Sequence, residues 1–388
     1  MHDVMVVGGG PSGCYTASLL GDRGFDVHVL EEHAVIGEPV DCSGVVGAEA
    51  FETMGLPSSL KLGEIRALTL VSPSKLEIDF SPPSPLAYII DRAAFDRSFA
   101  DKLSGSNVTL HLESTVLDLR VMKDCVEIEA KGINGPRVFR ASVAILAGGP
   151  RYRLQRKLGM GQPKDFIRTA QAEIAVQGIR RTKVLIGSEW APGSYAWVIP
   201  FQRGGDEFAR IGVSAKCNPI PYLKKILHQL HSEAHLHSAN IPIRSWRIPI
   251  SPLERTCSER VLAVGDAGGQ NKPTTGGGIF YGLLCAEAAA NTVSAAFKKG
   301  EFGQKSLGNY EHQWRKKLGR EIKSGAFFRS LVERLTDKEF DDLFEIVRSD
   351  GILSAVTKKA RFDWHRDVIY FTLRHPSMGR IFLKGLFR

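Results

Sequence analysis

Cysteine is sparse in this chain of 388 residues: six are present, at 14, 42, 125, 217, 257 and 285, with no CxxC pair and no metal-like spacing. Reduced thiols of a cytosolic protein are the simplest reading, and no residue is put forward as a metal ligand. Long apolar runs are missing too. None reaches the ~20 residues that a membrane-crossing helix needs, and Asp3 already opens a strand, so no signal peptide is expected. Repeats and low-complexity tracts are absent. The formal charge of +9 is modest for the length and comes with no aromatic–basic platform or recognised motif, which argues against a nucleic-acid partner. Acid runs out near the end. After Asp367 no Asp or Glu follows, while Arg374, Arg380, Lys384 and Arg388 stand among Ile381, Phe382, Leu383, Leu386 and Phe387. Such a tail either rests on an anionic membrane surface or docks on the protein with its cations in water; both readings stay open.

Glycine, by contrast, is concentrated in two distant segments: Val6-Val7-Gly8-Gly9-Gly10-Pro11-Ser12-Gly13, and Val264-Gly265-Asp266 running on to Thr275-Gly276-Gly277-Gly278-Ile279. The first lies between a buried strand, 3–7, and a helix, 12–20. Gly8 permits the tight turn, Gly10 lets the backbone approach a pyrophosphate, and Gly13 allows close helix–strand packing. A phosphate there meets the free N–H groups of a helix start, with Ser12 in the first turn. A second strand, 26–30, ends at Glu31, near the expected spacing of about 20 residues, where a carboxylate accepts hydrogen bonds from ribose hydroxyls. An acid disfavours a 2′-phosphate, so FAD or NAD fits better than NADP. The two segments together suggest one dinucleotide held at both ends.

The length allows two or more cores. A loop at 37–44 is rich in turn formers, residues 67–80 alternate like a strand or hairpin, and Pro82, Pro83 and Pro85 mark a crossing between domains. A strand and helix return at 88–103, opening at Asp91-Arg92. Strand-like runs fill 107–129, and 143–146 is a buried strand ending at Ala147-Gly148-Gly149. From 166 to 250 the pattern is that of antiparallel strands; 261–264 then rejoins the first domain, 276–296 is helical, and everything after Glu301 reads as helices. The expected fold is α/β. A discontinuous dinucleotide domain (1–66, 86–165 and 251–300) carries an antiparallel substrate sheet (67–85 and 166–250) and a helical C-terminal region (301–388).

Several separated segments resemble the FAD-dependent geranylgeranyl reductases: VVGGGPSG at 6–13, PVDCSG at 39–44, DRAAFDRSFA at 91–100, APGSYAWVIP at 191–200, and GDAGG with PTTGGGI at 265–279. They appear in the family's order over about three quarters of the chain. The resemblance implies a glutathione-reductase-like FAD domain and the reduction of isolated double bonds in a prenyl chain. Carried over by position, Glu31 holds the ribose and Arg92 lies near the phosphate or adenosine portion. Val116 joins the cofactor residues. Cys42, Ser43, Gly44 and Val45 lie at the flavin, Asp266 binds the ribityl or pyrophosphate portion, and Gly278 and Ile279 offer backbone N–H groups to the ring. Cys42 is the catalytic candidate, either donating the proton that follows hydride delivery or only shaping the chamber.

Tyr195 and Trp197 alternate along a strand and face one side, either bracketing a prenyl substrate or filling a core. Two departures stand out. Ile199 precedes Pro200 and Phe201 follows it, where the family more often has Phe before and a basic residue after. Gly148 stands where flavin hydroxylases carry an acid, which weakens a hydroxylase-style contact with nicotinamide. No second GxGxxG unit is present, so reduction calls for an external donor such as NADPH or ferredoxin. The rival readings are a monooxygenase of the hydroxybenzoate-hydroxylase-like group and a flavin electron carrier to quinone. The expected setting is cytoplasmic, with peripheral membrane contact if the tail meets lipid.

Overall fold

The computed structural model describes residues 1–233, 235 and 241–386. Two compact units are present, each built from three stretches: Met1–Val40, Arg92–Asp165 and Pro249–Ile322 in the first, Asp41–Asp91, Phe166–Ile248 and Lys323–Arg388 in the second.

In the first unit, the strands Val261–Ala263, Gly135–Leu146, His2–Val7, Val27–Leu30 and Val108–His111 lie side by side in that order, all parallel. Their runs are apolar without alternation because parallel strands are covered on both faces; Val4, Met5 and Val6 are fully buried. The strand Gly135–Leu146 serves two sheets' worth of pairing. Its first half is polar and exposed and pairs antiparallel with Val126–Gly132, while its apolar second half enters the parallel core. Thr115–Val121 extends the antiparallel side.

The helix Pro11–Gly21 follows the first strand directly, with Gly10 as its cap and Pro11 supplying a preset φ at the first position. The helix near 276–296 starts later than the sequence suggests, at Ile279, and runs to Lys299. Gly276, at φ +74°, lies in a closed turn in which Lys272 N donates to Gly277 O and Gly276 N to Lys272 O. This helix also corrects the expectation about apolar runs: its 21 residues are long and apolar enough to cross a membrane. Its burial explains the composition instead, since Leu283, Cys285, Ala286, Ala289, Ala290 and Val293 are all enclosed.

The second unit holds a seven-stranded sheet in the order Arg244–Pro249, Phe166–Ala175, Asp206–Ala215, Tyr195–Arg203, Thr182–Ile186, Leu68–Val71, Glu77–Phe80. Pairing is antiparallel from Phe166–Ala175 through Thr182–Ile186 and within the 68–80 hairpin, with one parallel join between Thr182–Ile186 and Leu68–Val71. Alternation divides its faces. Ala170, Ala172, Ala196, Val198 and Ile211 pack on Leu223, Ile226 and Leu227. Those three belong to a helix, Ile220–Ser232, that a reading of 166–250 as strands alone overlooks. Trp197, Ile199 and Phe201 point the other way, against Ile65, Ala87 and Ile89 of a three-stranded sheet made of Val45–Gly47, Ala87–Ile90 and Lys61–Ile65.

The expected domain bounds need correction, because 41–66 and 86–91 belong to the second unit and 301–322 to the first. Strand pairing of 87–90 with 45–47 and with 61–65 draws the former pieces away from the parallel sheet, while the chain after Glu301 is helical as expected. The helices Asp337–Ser349, Ile352–Lys359, Arg366–Arg374 and Pro376–Leu386 gather around Leu331, Leu343, Ile352, Met378 and Phe382. A reciprocal cap between Thr336 and Glu339 starts the first of them. In the tail, Phe382 is buried and Ile381 packs beside the same cluster, while Arg374, Arg380, Leu383 and Lys384 are exposed. Phe387 and Arg388 lie outside the described residues.

Candidate functional site

Four loops leave the carboxyl ends of adjacent parallel strands in the first unit: Gly8 after Val7, Glu31 after Leu30, Ala147 after Leu146, and Val264 to Asp266 after Ala263. The first strand is the turning point of the order. The chain continues from it to Val27–Leu30 on one side and returns much later to Gly135–Leu146 on the other, which opens a crevice at those strand ends.

Sterics explain the glycines there. Gly8 has φ +103°, and a Cβ on it would sit 2.6 Å from Ala147 O. A Cβ on Gly13 would collide with Gly8 O, so the helix can approach the turn only with glycine at this position. Gly10 is different: a Cβ there would meet nothing within 4 Å, so open space lies beside the start of the helix Pro11–Gly21. Gly265 and Gly282 both abut Ser12; a Cβ on Gly265 would come 2.6 Å from its Oγ, and one on Gly282 closer still. The two glycine segments, some 250 residues apart in sequence, therefore converge on one serine.

Glu31 is nearly buried, and its carboxylate accepts from Gly9 N at 2.6 Å, from His33 N at 3.0 Å and from His33 Nδ1 at 2.5 Å. A carboxylate has about four acceptor sites, so capacity remains for one hydroxyl donor. Cys14 donates to Gly9 O at 3.1 Å; burial, then the Asp96 and Glu31 charges, push its thiol up to about 12. Arg92 holds Asp96 through Nε and Nη2, both at 2.8 Å, yet burial keeps the Asp96 carboxyl above its ordinary value. Val116 is half-buried in Thr115–Val121, a strand whose approach is tied down where Ser114 N donates to Glu31 O at 2.7 Å.

Asp266 sits in the short turn Gly265–Gly268 and is held by its backbone, as Tyr152 donates to Asp266 O at 2.6 Å and Gln155 to Ala267 O at 3.0 Å. Burial raises its carboxyl, against hydrogen bonding from Asn271 and the charge of Arg92. A Cβ on Gly278 would lie 3.0 Å from Asp266 Oδ1 and would clash with Asn271 Oδ1. The start of the helix Ile279–Lys299 thus meets two oxygens, of which Asn271 Oδ1 is buried without a hydrogen-bond partner.

The second unit gathers the remaining candidates. Gly44 N donates to Cys42 Sγ at 3.3 Å, a bond that uses a sulfur lone pair rather than the S–H. Cys42 O accepts from Gln171 at 3.2 Å, and Gln171 Oε1 accepts from Trp197 Nε1 at 3.1 Å. Arg210, only 2% exposed, donates to Ser43 O at 2.8 Å and Ile90 O at 3.1 Å, and its Nε reaches Glu173 at 2.8 Å. Gly44, at φ +62°, has no room for a Cβ beside that guanidinium. Burial pushes the Glu173 carboxyl up, but Arg210 and Arg203 outweigh it and hold the group below its ordinary value. Val45 opens the three-stranded sheet.

Strand register makes this possible. Glu173 faces Arg210, and Gln171 faces Gly212, which in turn faces Trp197. Gly212 is glycine because the Trp197 ring lies across it. Trp197 is buried and Tyr195 half-buried on the same face, their ring centroids 5.8 Å apart; burial pushes the Tyr195 phenol up to about 12.

Geometry thus brings Gly8, Gly10, Ser12, Gly13, Glu31, Asp266, Gly278 and Ile279 to one crevice in the first unit, with Arg92 near Asp266 in charge. It clusters Cys42, Ser43, Gly44, Trp197 and Tyr195 in the second. Gln171, Arg210 and Asn271 escaped the sequence reading. Both strands that hold the first two carry several other polar residues, so nothing along the chain marks Gln171 or Arg210; only their burial in the folded sheet does.

The family model described as an NAD(P)-binding Rossmann-like domain matches residues 6–42. The chain is 28% identical to digeranylgeranylglycerophospholipid reductase 2 of Methanothermobacter thermautotrophicus, over 98% of both chains. It is 27% identical to digeranylgeranylglycerophospholipid reductase of Methanocaldococcus jannaschii, over 91% of this chain and 92% of that one. Among solved structures, a geranylgeranyl bacteriochlorophyll reductase-like protein from Thermoplasma acidophilum superposes with a TM-score of 0.85 at 20% identity, covering 99% of each chain. A p-nitrophenol 4-monooxygenase from Pseudomonas putida reaches 0.72 at 19%, over 92% of this chain and 97% of that one. The resemblance read from the motifs therefore extends along nearly the whole chain, and the fold is one shared by reductases and monooxygenases.

Proposed function

We propose that this protein is an FAD-dependent reductase that saturates carbon–carbon double bonds of a geranylgeranyl or related prenyl chain. The observation that carries the reading is near-full-length similarity to digeranylgeranylglycerophospholipid reductases, joined to the Rossmann-like glycine turn of the first unit. The crevice residues fit the cofactor. Open space beside Gly10 admits a pyrophosphate, Glu31 keeps acceptor capacity for a ribose hydroxyl, and the orphaned Asn271 Oδ1 awaits a donor beside Gly278.

When bound, FAD supplies the hydride for the alkene. In this proposal Gly8, Gly10, Ser12 and Gly13 hold its phosphates, Glu31 its ribose, and Arg92 and Val116 its adenosine side. Asp266 takes ribityl or pyrophosphate contacts. Gly278 and Ile279 turn helix-start N–H groups toward developing negative charge. Cys42, with Ser43, Gly44 and Val45, is assigned to the reacting end; its S–H is not spent on Gly44 and is the proposed proton donor. Tyr195, half-buried, offers apolar surface to the prenyl chain, while Trp197 fills the core behind it. Reducing equivalents come from an external donor of the NADPH or ferredoxin type. The exposed Leu383, beside Arg380 and Lys384, supports peripheral contact with an anionic lipid surface.

Anaerobic turnover of a geranylgeranyl lipid with dithionite, followed by mass spectrometry, tests the reading. Each reduced bond gains one hydride and one proton, and turnover ceases when FAD is removed. Oxygen- and NADPH-dependent hydroxylation with an unchanged prenyl chain would sink it in favour of the monooxygenase relatives of the fold.

A further inference from the structure

A second polar cluster lies at the opposite end of the first strand from the Gly8 turn. His2 Nδ1 is 2.8 Å from Asp26 Oδ2, and His28 Nε2 is 3.3 Å from Asp26 Oδ1. One ligand atom from each of the three residues lies within 4.8 Å of those of the other two. Ligands on a tetrahedral zinc-class ion at about 2.0–2.1 Å stand roughly 3.3 Å apart. The His2 and His28 rings lie with centroids 3.6 Å apart, tilted by 37°, so enclosing an ion requires both imidazoles to turn about their side-chain bonds.

The backbones behind these donors are firmly held. His2 and His28 belong to the paired parallel strands His2–Val7 and Val27–Leu30, and Asp26 immediately precedes the second. Asp3 N and Val4 N both donate to Asp26 O, at 3.2 and 3.1 Å, and Asp26 N donates to Asp3 Oδ2 at 3.0 Å. The site is therefore preorganised by a sheet rather than by a loop.

A third strand supplies support of the kind that metal-binding imidazoles use. His28 Nδ1 lies 2.8 Å from His111 Nε2, and the two rings stack at 5.0 Å. With Nδ1–H donating to His111, His28 turns its Nε2 lone pair toward Asp26. The side chains of His2, His28 and Asp26 are 30%, 14% and 45% exposed, so an ion can enter. Two imidazoles and one carboxylate favour a divalent transition metal over magnesium or calcium, which take all-oxygen shells.

We propose that His2, Asp26 and His28 bind one divalent transition-metal ion of the zinc class, with His111 orienting His28 and water completing the coordination. The ion clips the starts of the first two strands together. The inference does not depend on the reductase reading, because no residue of the dinucleotide crevice takes part.

Cobalt tests it directly. Full-length, untagged protein is stripped with EDTA and dialysed, then titrated with Co²⁺ and followed by its visible d–d absorption. The expected result is an intensified spectrum that saturates at one equivalent per chain and is abolished by added Zn²⁺. His28→Gln and His2→Ala should weaken binding at least tenfold, and His111→Phe about 10–100-fold as an orienting residue. Asp26→Asn keeps the backbone anchoring and should weaken binding similarly, which covers the case in which a histidine variant folds poorly. Equal melting temperatures in EDTA would show that the variants fold. A Co²⁺ spectrum that stays that of the aqua ion, or variants that bind as the parent does, would overturn the proposal and leave only a hydrogen-bonded cluster.

Discussion

Replacing Arg210 by methionine keeps most of the side-chain volume and removes the charge that ties Ser43 O, Ile90 O and Glu173 together. A buried carbonyl, Ile90 O, and a half-buried one, Ser43 O, lose donors at 3.1 and 2.8 Å, and an unsatisfied buried acceptor costs about 1–3 kcal/mol, less where water reaches it. Glu173 is not left wholly alone, since Arg203 still reaches it at 2.6 Å and its side chain is 33% exposed. The penalty for its lost partner therefore falls at or below the low end of the ~3–5 kcal/mol seen when a buried pair is broken. We expect a total loss of about 3 kcal/mol, read by urea denaturation as a lower midpoint with an unchanged slope. Amide exchange should single out Ile90, whose N–H donates to Gly44 O at 2.8 Å beside the lost guanidinium. Arg210→Lys should recover only part of this, because a point-like ammonium cannot serve three acceptors in a fork. Adding Glu173→Leu to Arg210→Met should restore some stability, since removing both members of a buried pair is close to neutral. A single variant within 0.5 kcal/mol of the parent, or a double variant whose losses simply add, would refute the reasoning.

Three further outcomes follow from the same geometry. Gly282→Ala should destabilise the first unit by about 1–3 kcal/mol, because its methyl meets Ser12 Oγ, and Ser12→Ala should suppress most of that loss; equal melting temperatures for the single and double variants would contradict the packing. The Glu173 carboxyl is held below its ordinary value of 4.5, so its stabilising contribution is complete above about pH 4.5 and is lost as pH falls through the lower folded value. The stability gap between the parent and Glu173→Gln, measured by denaturation from pH 7 to pH 3, should be level and then narrow in acid; a gap that widens there would show the sign to be wrong. Native alkylation at pH 8 should label exposed Cys217 first and leave Cys14, Cys257 and Cys285 protected, as burial raises all three thiols. Peptide mass spectrometry showing early Cys285 labelling would contradict the enclosed helix.

Much of the first unit was legible along the chain because its signals are local. Continuous apolar runs such as 4–6 and 143–146 announce strands covered on both faces, and the turn at Gly8 declares itself through glycine spacing. The helix Ile220–Ser232 was harder to see. Its three buried positions, Leu223, Ile226 and Leu227, are diluted by lysine, histidine and glutamine inside a region otherwise patterned as strands. Ile279–Lys299 shows the converse difficulty, as its apolar composition reflects burial against neighbouring protein.

By itself the sequence determined the glycine turn after the first strand, the acid at Glu31, the buried strands and the likeness to prenyl reductases, since each depends on residues adjacent in the chain or on motif order. Only the tertiary structure decided which distant residues meet. Ser12 against Gly265 and Gly282, Gln171 between Cys42 and Trp197, Arg210 on Glu173 and the loop at Ser43, and the cluster of His2, Asp26 and His28 all depend on strand register or helix packing. The physical reason is the two-residue period of a strand. A shift of one position would turn Arg210 and Gln171 to the opposite face, and which register forms is settled by the packing of both faces of the sheet rather than by any short stretch of chain.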